Sequence, residues 1–497
     1  MNNIDFSIPQ RQSPKGLILF FAVTLKNIVK AIWPVAILFL FKHNSLDTSK
    51  LFTAYTIIGI ILVLVVANTI LYFMNFYFYI RNNELFIEKG FLKKVKIIIP
   101  LDKIQTINTR QNLLQQFLKV VTLEIDTAGS SQKEARFISL TRETADALQE
   151  TLSVVSNDNN EQIETEESGP IPKKRTILHL NTIDLIKVGF SENHLKSLVV
   201  IYLFVNGIYQ QLRDIFKNAV DSASNQAGGF IENSGAIFIT IMLIISLLLL
   251  IAFSILLVIL RYFDLRFSRQ DGAFILKSGL INKKDILIPF SKIQVISWSS
   301  NPLRKLMDFV SVHIIQASNE DLNKKQAIII PGCNKTHLAT IQNELFPQTQ
   351  ATDWTTHKSH PMFFVRLWII RVCIIAIPLL IAFFYDWQTY AIIGTWVIIS
   401  GFLSYVSYTK RYLKINTELL QLSKGCIGQH FSMMFNFKIQ TITYNQTIFQ
   451  RRRKTASISI FTSGGMRLRI PYLQEQVAME LYNYLLYCTE STNKKWM

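Results

Sequence analysis

Three long stretches of this chain contain no charged residue: residues 51–80, 235–260 and 389–408. A helix as long as the first would rise roughly 45 Å, more than the hydrocarbon core of a bilayer requires. Only 17% of the residues are charged and 49% are hydrophobic, and the deficit of charge sits in these blocks. That pattern places the chain among membrane proteins. The first stretch ends in Tyr72, Phe73, Phe76, Tyr77, Phe78 and Tyr79, which reads as an interfacial aromatic belt. A less perfect apolar segment precedes each clean one. Residues 16–41 carry Lys26 and Lys30 and then Pro34, and residues 363–385 carry Arg366 and Arg371 and then Pro378. Residues 195–208 are shorter and broken by Asn206. Upstream of them Leu180, Ile183, Ile186 and Phe190 recur at helical spacing, as in a helix lying in the membrane plane. The expectation is a multi-pass α-helical membrane protein of six helices.

Orientation follows from lysine and arginine. The loops at 42–50 and 211–234 hold two cations each, and the loop around Asp386 holds none. The alternate segments hold nearly all the rest. Both termini are therefore expected in the cytoplasm, with the chain in the cell membrane. The net charge of +18 then faces anionic lipid and not nucleic acid.

The cytoplasmic segments repeat. Gly90 is followed thirteen residues later by Lys103-Ile104-Gln105, Gly279 by Lys292-Ile293-Gln294, and Gly425 by Lys438-Ile439-Gln440. The same register aligns Thr122, Ser311 and Ser457, each inside a stretch of period two. Period two means half-buried strands. The glycines are expected at equivalent tight turns. Each isoleucine is expected in the core, with its lysine and glutamine pointing outward. Ala145, Leu148 and Leu152, and again Ala478, Leu481 and Leu485, mark a helix closing the unit.

The glycine-to-Lys-Ile-Gln spacing, the openings Tyr79-Ile80-Arg81 and Tyr412-Leu413-Lys414, and Leu114 to Leu118 resemble the bacterial pleckstrin-homology-like family. Three helix pairs alternating with three domains resemble its YdbT-like membrane proteins. The third copy departs from the pattern, with Phe435-Asn436-Phe437 in place of Pro100 and Pro289 and with the run Arg451-Arg452-Arg453-Lys454. The resemblance implies three α+β PH-like domains, each an antiparallel β-sandwich capped by a C-terminal helix. The expected order is a transmembrane pair at 16–80, domain one at 81–155 and a disordered acidic linker at 156–176. An in-plane helix and second pair follow at 177–260, domain two at 261–345, a linker at 346–361, a third pair at 362–408 and domain three at 409–490. It implies no catalytic activity, and at most a role in envelope stress or antimicrobial-peptide tolerance.

The residues agree on the absence of known chemistry. There is no zincin helix, P-loop, nucleophile elbow or dinucleotide fingerprint. The eight histidines and four cysteines show no metal spacing. No cofactor or metal is expected. Three functions stay open: a non-enzymatic membrane scaffold or adaptor, a transporter or lipid mover, and a membrane enzyme with an unfamiliar site. The uncharged stretches offer no buried acid for ion coupling, which favours the scaffold. Its expected partners are membrane lipids and another membrane protein of the same domain family. Arg451, Arg452, Arg453 and Lys454 read either as a solvated face or as anionic-lipid contacts. Lys26, Lys30, Arg366 and Arg371 read either as snorkelling side chains or as holders of lipid phosphate.

Overall fold

The computed structural model describes residues 5–26, 30, 48–91, 94–127, 135–158, 175–192, 241, 244–245, 248–270, 272–317, 327–347, 353–382 and 387–491. The chain opens with β1 (Gln10–Arg11), α1 (Gly16–Lys26) and α2 (Thr48–Met74). The first repeat is β2 (Tyr77–Arg81), β3 (Glu84–Lys89), β4 (Val95–Pro100), β5 (Ile104–Gln111), α3 (Leu113–Leu118), β6 (Val120–Thr127), β7 (Ala135–Thr141) and α4 (Arg142–Asp158). Then come β8 (Arg175–His179), α5 (Thr182–Phe190) and α6 (Leu248–Tyr262). The second repeat is β9 (Arg266–Gln270), β10 (Ala273–Ser278), β11 (Lys283–Pro289), β12 (Ile293–Ser300), α7 (Pro302–Leu306), β13 (Val310–Gln316), β14 (Ile328–Cys333) and α8 (Lys335–Leu345). After β15 (Thr355–Lys358), α9 (Met362–Ala382) and α10 (Trp387–Thr409), the third repeat is β16 (Tyr412–Ile415), β17 (Leu419–Gly425), β18 (Gln429–Phe435), β19 (Ile439–Asn445), α11 (Ile448–Arg452), β20 (Thr455–Thr462), β21 (Arg467–Gln474) and α12 (Glu475–Glu490).

The six-helix expectation is overturned. Among the described residues two helices are long and apolar enough to cross a membrane, Met362–Leu379 and Trp387–Thr409. Gly16–Lys26, the Val63–Met74 part of α2 and Leu248–Tyr262 are shorter apolar stretches of described residues. The first clean stretch was misread at its end, because absence of charge does not distinguish a helix from a buried strand. The helix stops at Met74, and Tyr77–Arg81 is a strand. Phe76 and Phe78 are core residues, packed edge-on against Phe137, and not an interfacial belt. Residues 195–208, 31–47 and 193–240, and most of the acidic linker, lie outside the described residues.

Two compact units make up the chain, residues 1–175 with 269–289 and residues 176–268 with 290–497. In the first, Leu85, Ile99, Leu123, Ile125 and Phe137 form a core closed by Ala145, Leu148 and Leu152 of α4. In the second, Leu420, Ile458, Ile460 and Ile470 do the same with Ala478, Leu481 and Leu485 of α12.

The sheets run on from repeat to repeat, where separate sandwiches were expected. In the first unit β5 pairs with β6 on one side and β11 on the other, giving the order β7-β6-β5-β11-β10. In the second unit the order is β14-β13-β12-β18-β17-β16-β15. The leading three strands of one repeat therefore extend the trailing sheet of the repeat before it. Both seams keep the same register: Thr109 opposes Asp285 in one, and the equivalent Trp298 opposes Phe431 in the other. Backbone hydrogen bonds that an isolated domain would leave at an open edge are satisfied this way.

The repeated signature has a backbone meaning. In all three repeats the ladder slips at the glutamine, between Ile104 and Thr106, Ile293 and Val295, and Ile439 and Thr441. The signature is thus a β-bulge, which bends the strand. A second slip falls at each aligned hydroxyl residue, Thr122, Ser311 and Ser457. Lys119, Asp308 and Lys454 all have positive φ. Each lies just past the short helix of its repeat, Lys119 at the C-cap and Asp308 and Lys454 one residue beyond it. The glycines are not all alike. Gly90 and Gly279 are left-handed at φ 99° and 104°. Gly425 is not, but a Cβ there would collide with the Gly428 carbonyl.

Candidate functional site

The Lys-Ile-Gln residues do not sit as the simple alternation implied. Ile293 and Ile439 are buried, while Ile104 is half-buried against the first core. Lys103 and Gln440 are exposed, but Lys292, Gln294 and Lys438 are buried. Their burial has its cause in the seam. The Lys438 ammonium donates to the backbone carbonyls of Ser291 at 2.8 Å and Ile293 at 2.6 Å. The lysine of one signature thus grips the carbonyls flanking the lysine of the previous one. Burial pushes its pKa down to about 8. The Gln105 side chain lies outside the described residues.

The basic run occupies α11 and its end. Thr447 and Gln450 form a reciprocal capping box there, and the Gln450 amide donates to Ser457 Oγ at 2.7 Å. Gln115 and Thr122 repeat that contact at 2.6 Å in the first repeat. Such caps fix a turn too short to hold itself. On α11 this displays Ile448 and Phe449, 76% and 77% exposed, beside Arg451, Arg452, Arg453 and Lys454, all exposed. The α3 turn likewise exposes Phe117 at 85%, and α7 exposes Leu306 at 83%. Exposed large apolar tips of this kind mark interaction surfaces. Arg453 Nη1 lies 3.3 Å from Sδ of Met362, the first residue of α9. The tip is therefore level with the start of a helix long and apolar enough to span.

The cations of α9 have different neighbours. Arg371 donates to Ser404 Oγ and Ser407 Oγ of α10, both at 3.0 Å. It ties α9 to α10. Trp396 Nε1 donates to the Arg371 carbonyl, and Trp368 Nε1 to that of Val397. Arg366 is exposed and lies over the Tyr472 ring, 5.6 Å from its centre. Lys26 and Lys30 are exposed.

Sequence reading missed a further basic cluster at the foot of the hairpin. Arg411 lies two residues beyond the end of α10 and stacks on Phe363 at 4.9 Å. Burial and the nearby Arg469 guanidinium both push Arg411 below the ordinary arginine range. Burial, Arg467 and Arg366 do the same to Arg469. Burial and Arg411 lower Lys424. Burial, Lys424 and His313 lower His430 to about 4, so it is neutral at pH 7. Among the described residues, Nε of Arg411 and Nε of Arg469 are buried without a hydrogen-bond partner. Like charges held together with open donors fit an anion. These residues are scattered from 366 to 469, so no local motif could have shown them.

Among the described residues no group of histidine, cysteine and carboxylate could hold a metal. The four cysteines are free, and burial pushes the Cys333 thiol up to about 12, so it is inert.

A family model described as the bacterial PH domain matches the chain three times, over residues 22–154, 227–349 and 365–488. The chain is also similar to a transmembrane protein of Bacillus subtilis, YdbT. The two are 25% identical over 476 residues, which is 93% of this chain and 94% of that protein. The three matches fall on the three copies of one strand-and-helix unit, and the chain accordingly belongs to the bacterial PH domain family as a membrane-associated protein.

Proposed function

We propose that this protein is a non-enzymatic membrane scaffold. Its α9–α10 hairpin crosses the bilayer, and its third PH-like repeat rests on anionic lipid of the cytoplasmic leaflet. One observation carries the reading: α11 presents two exposed apolar side chains and four exposed cations beside the first residue of α9. That composition suits a shallow interfacial insertion, apolar groups entering the headgroup boundary while cations meet phosphate. The Arg411, Lys424 and Arg469 cluster at the hairpin foot supports it with a second demand for an anion. The helices support a scaffold over a conduit, because α9 and α10 contain no Asp or Glu and Arg371 is occupied by serines.

The test uses the full chain in nanodiscs, with Phe449→Trp in a background where the seven native tryptophans are replaced by Phe. Emission is expected to shift to the blue in anionic discs relative to phosphatidylcholine discs. Changing residues 451–454 to Glu is expected to abolish the shift, and salt to weaken it. Identical emission in both lipids contradicts the reading.

The cytoplasmic placement of the repeat rests on the lysine and arginine excess. In a cysteine-free background Glu490→Cys is expected to escape an impermeant maleimide in intact cells and to react after permeabilisation. Labelling in intact cells reverses the orientation.

A further inference from the structure

The seam pattern leaves two ends open. In the first two repeats the opening strand of the trailing sheet, β5 or β12, is paired on its outer side by the last leading strand of the next repeat, β11 or β18. The equivalent strand of the third repeat is β19. Among the described residues it is the edge of the sheet β19-β20-β21. The equivalent of β11 and β18 in the first repeat is β4. Among the described residues it is the edge of the sheet β1-β2-β3-β4. Among the described residues the chain thus carries one unfilled acceptor and one unused donor of the same joint.

The side chains record the vacancy. Residues 293–298 of the paired strand β12 are all buried. On β19, Gln440, Thr441 and Asn445 are exposed, and Ile442, Thr443 and Tyr444 are half-buried. The donor strand β4 reads Val-Lys-Ile-Ile-Ile-Pro, with Val95 37% and Ile98 48% exposed. An exposed apolar edge strand is an aggregation hazard unless something pairs with it. Lys96 is its one charged guard.

We infer that β19 is a docking edge, and that its occupant is β4 of a second copy of this chain. The joint is then the third instance of the two already present. Their shared register fixes its own. Trp298 opposite Phe431 becomes Tyr444 opposite Lys96. Ser297 opposite Ser432 becomes Thr443 opposite Ile97, and Ile296 opposite Met433 becomes Ile442 opposite Ile98. The last pair brings together two apolar side chains that each copy leaves uncovered or half-covered. The contact is head-to-tail, so copies form closed rings or rows in the membrane plane. This inference stands apart from the lipid reading, since it involves neither α11 nor the basic cluster.

Cysteine pairing tests it on the full chain in native membranes, with the four native cysteines replaced. One tagged chain carries Ile97→Cys and a second, differently tagged chain carries Thr443→Cys. Co-expressed and mildly oxidised, they are expected to yield a mixed-tag disulfide dimer at least tenfold above either variant with a cysteine-free partner. Directly opposed strand residues meet the distance a disulfide requires. Moving the first cysteine to Ile98, on the other face of the strand, is expected to reduce the yield severalfold. A mixed dimer no more abundant than the controls overturns the inference. As a measurement without substitutions, native mass spectrometry of the wild-type protein released from nanodiscs is expected to show dimers and higher species. Monomers alone overturn it too.

Discussion

Ser432→Pro is expected to melt the second and third repeats together. Ser432 is fully interior in its sheet, opposite Ser297 of β12 on one side and Leu422 of β17 on the other. Proline lacks the N–H and is excluded from central strands, and the buried ladder acceptor it leaves unpaired alone costs about 1–3 kcal/mol. Were the repeats independent domains, the damage would stay in the third. The seam makes β18 a neighbour of β12, so the loss should spread. Hydrogen exchange on the full chain is expected to show protection falling in residues 293–316 as well as 412–435. Protection lost only in the third repeat would show that the seam is not a cooperative joint.

Lys438→Glu is expected to open the same seam from its other end. The ammonium bridges two carbonyls of the preceding repeat. A carboxylate there faces two acceptors with nothing to donate, and an uncompensated buried charge costs about 3–5 kcal/mol. Lys438→Met separates charge from shape through pH. The folded group has a pKa of about 8 against an ordinary 10.5. Between those values the unfolded chain holds a proton that the folded chain has released. Stability of the wild type therefore rises with pH across that window relative to the methionine variant, by up to about 3 kcal/mol. Below pH 8 both states are protonated and the difference is flat. Denaturant midpoints of the two proteins from pH 7 to 10.5 check this. A difference that stays constant across the window would mean that the two carbonyl bonds keep the lysine at its ordinary pKa.

The repeat was legible in the sequence because it is a backbone device. A bulge needs its residues at fixed offsets, so Gln105, Gln294 and Gln440 keep their distance from the strand end at Gly90, Gly279 and Gly425. The core-facing isoleucines followed from period two. The seams did not follow, because pairing between repeats depends on which strand edges meet, and period two is the same for an edge strand and a central one. That is why Lys292 and Lys438 read as outward residues and are buried. The end of the first apolar stretch misled for a related reason: Phe76 and Phe78 serve a sheet core with the same composition that an interfacial belt would have. At the candidate site the run 451–454 was visible as a charge cluster. Its apolar half, Ile448 and Phe449, was not, since exposure of two hydrophobic residues on a capped turn is a tertiary property.

α11 is expected to touch anionic lipid. Photocrosslinking tests it most directly, with the full chain reconstituted among phospholipids that carry a photoreactive group at the headgroup. With an anionic analogue, adducts are expected to concentrate in the peptide spanning residues 447–455. With a zwitterionic analogue of the same reactivity that peptide should be labelled severalfold less, while α9 and α10 are labelled equally by both. Adducts confined to α9 and α10, or equal labelling of 447–455 by the two analogues, would contradict the account.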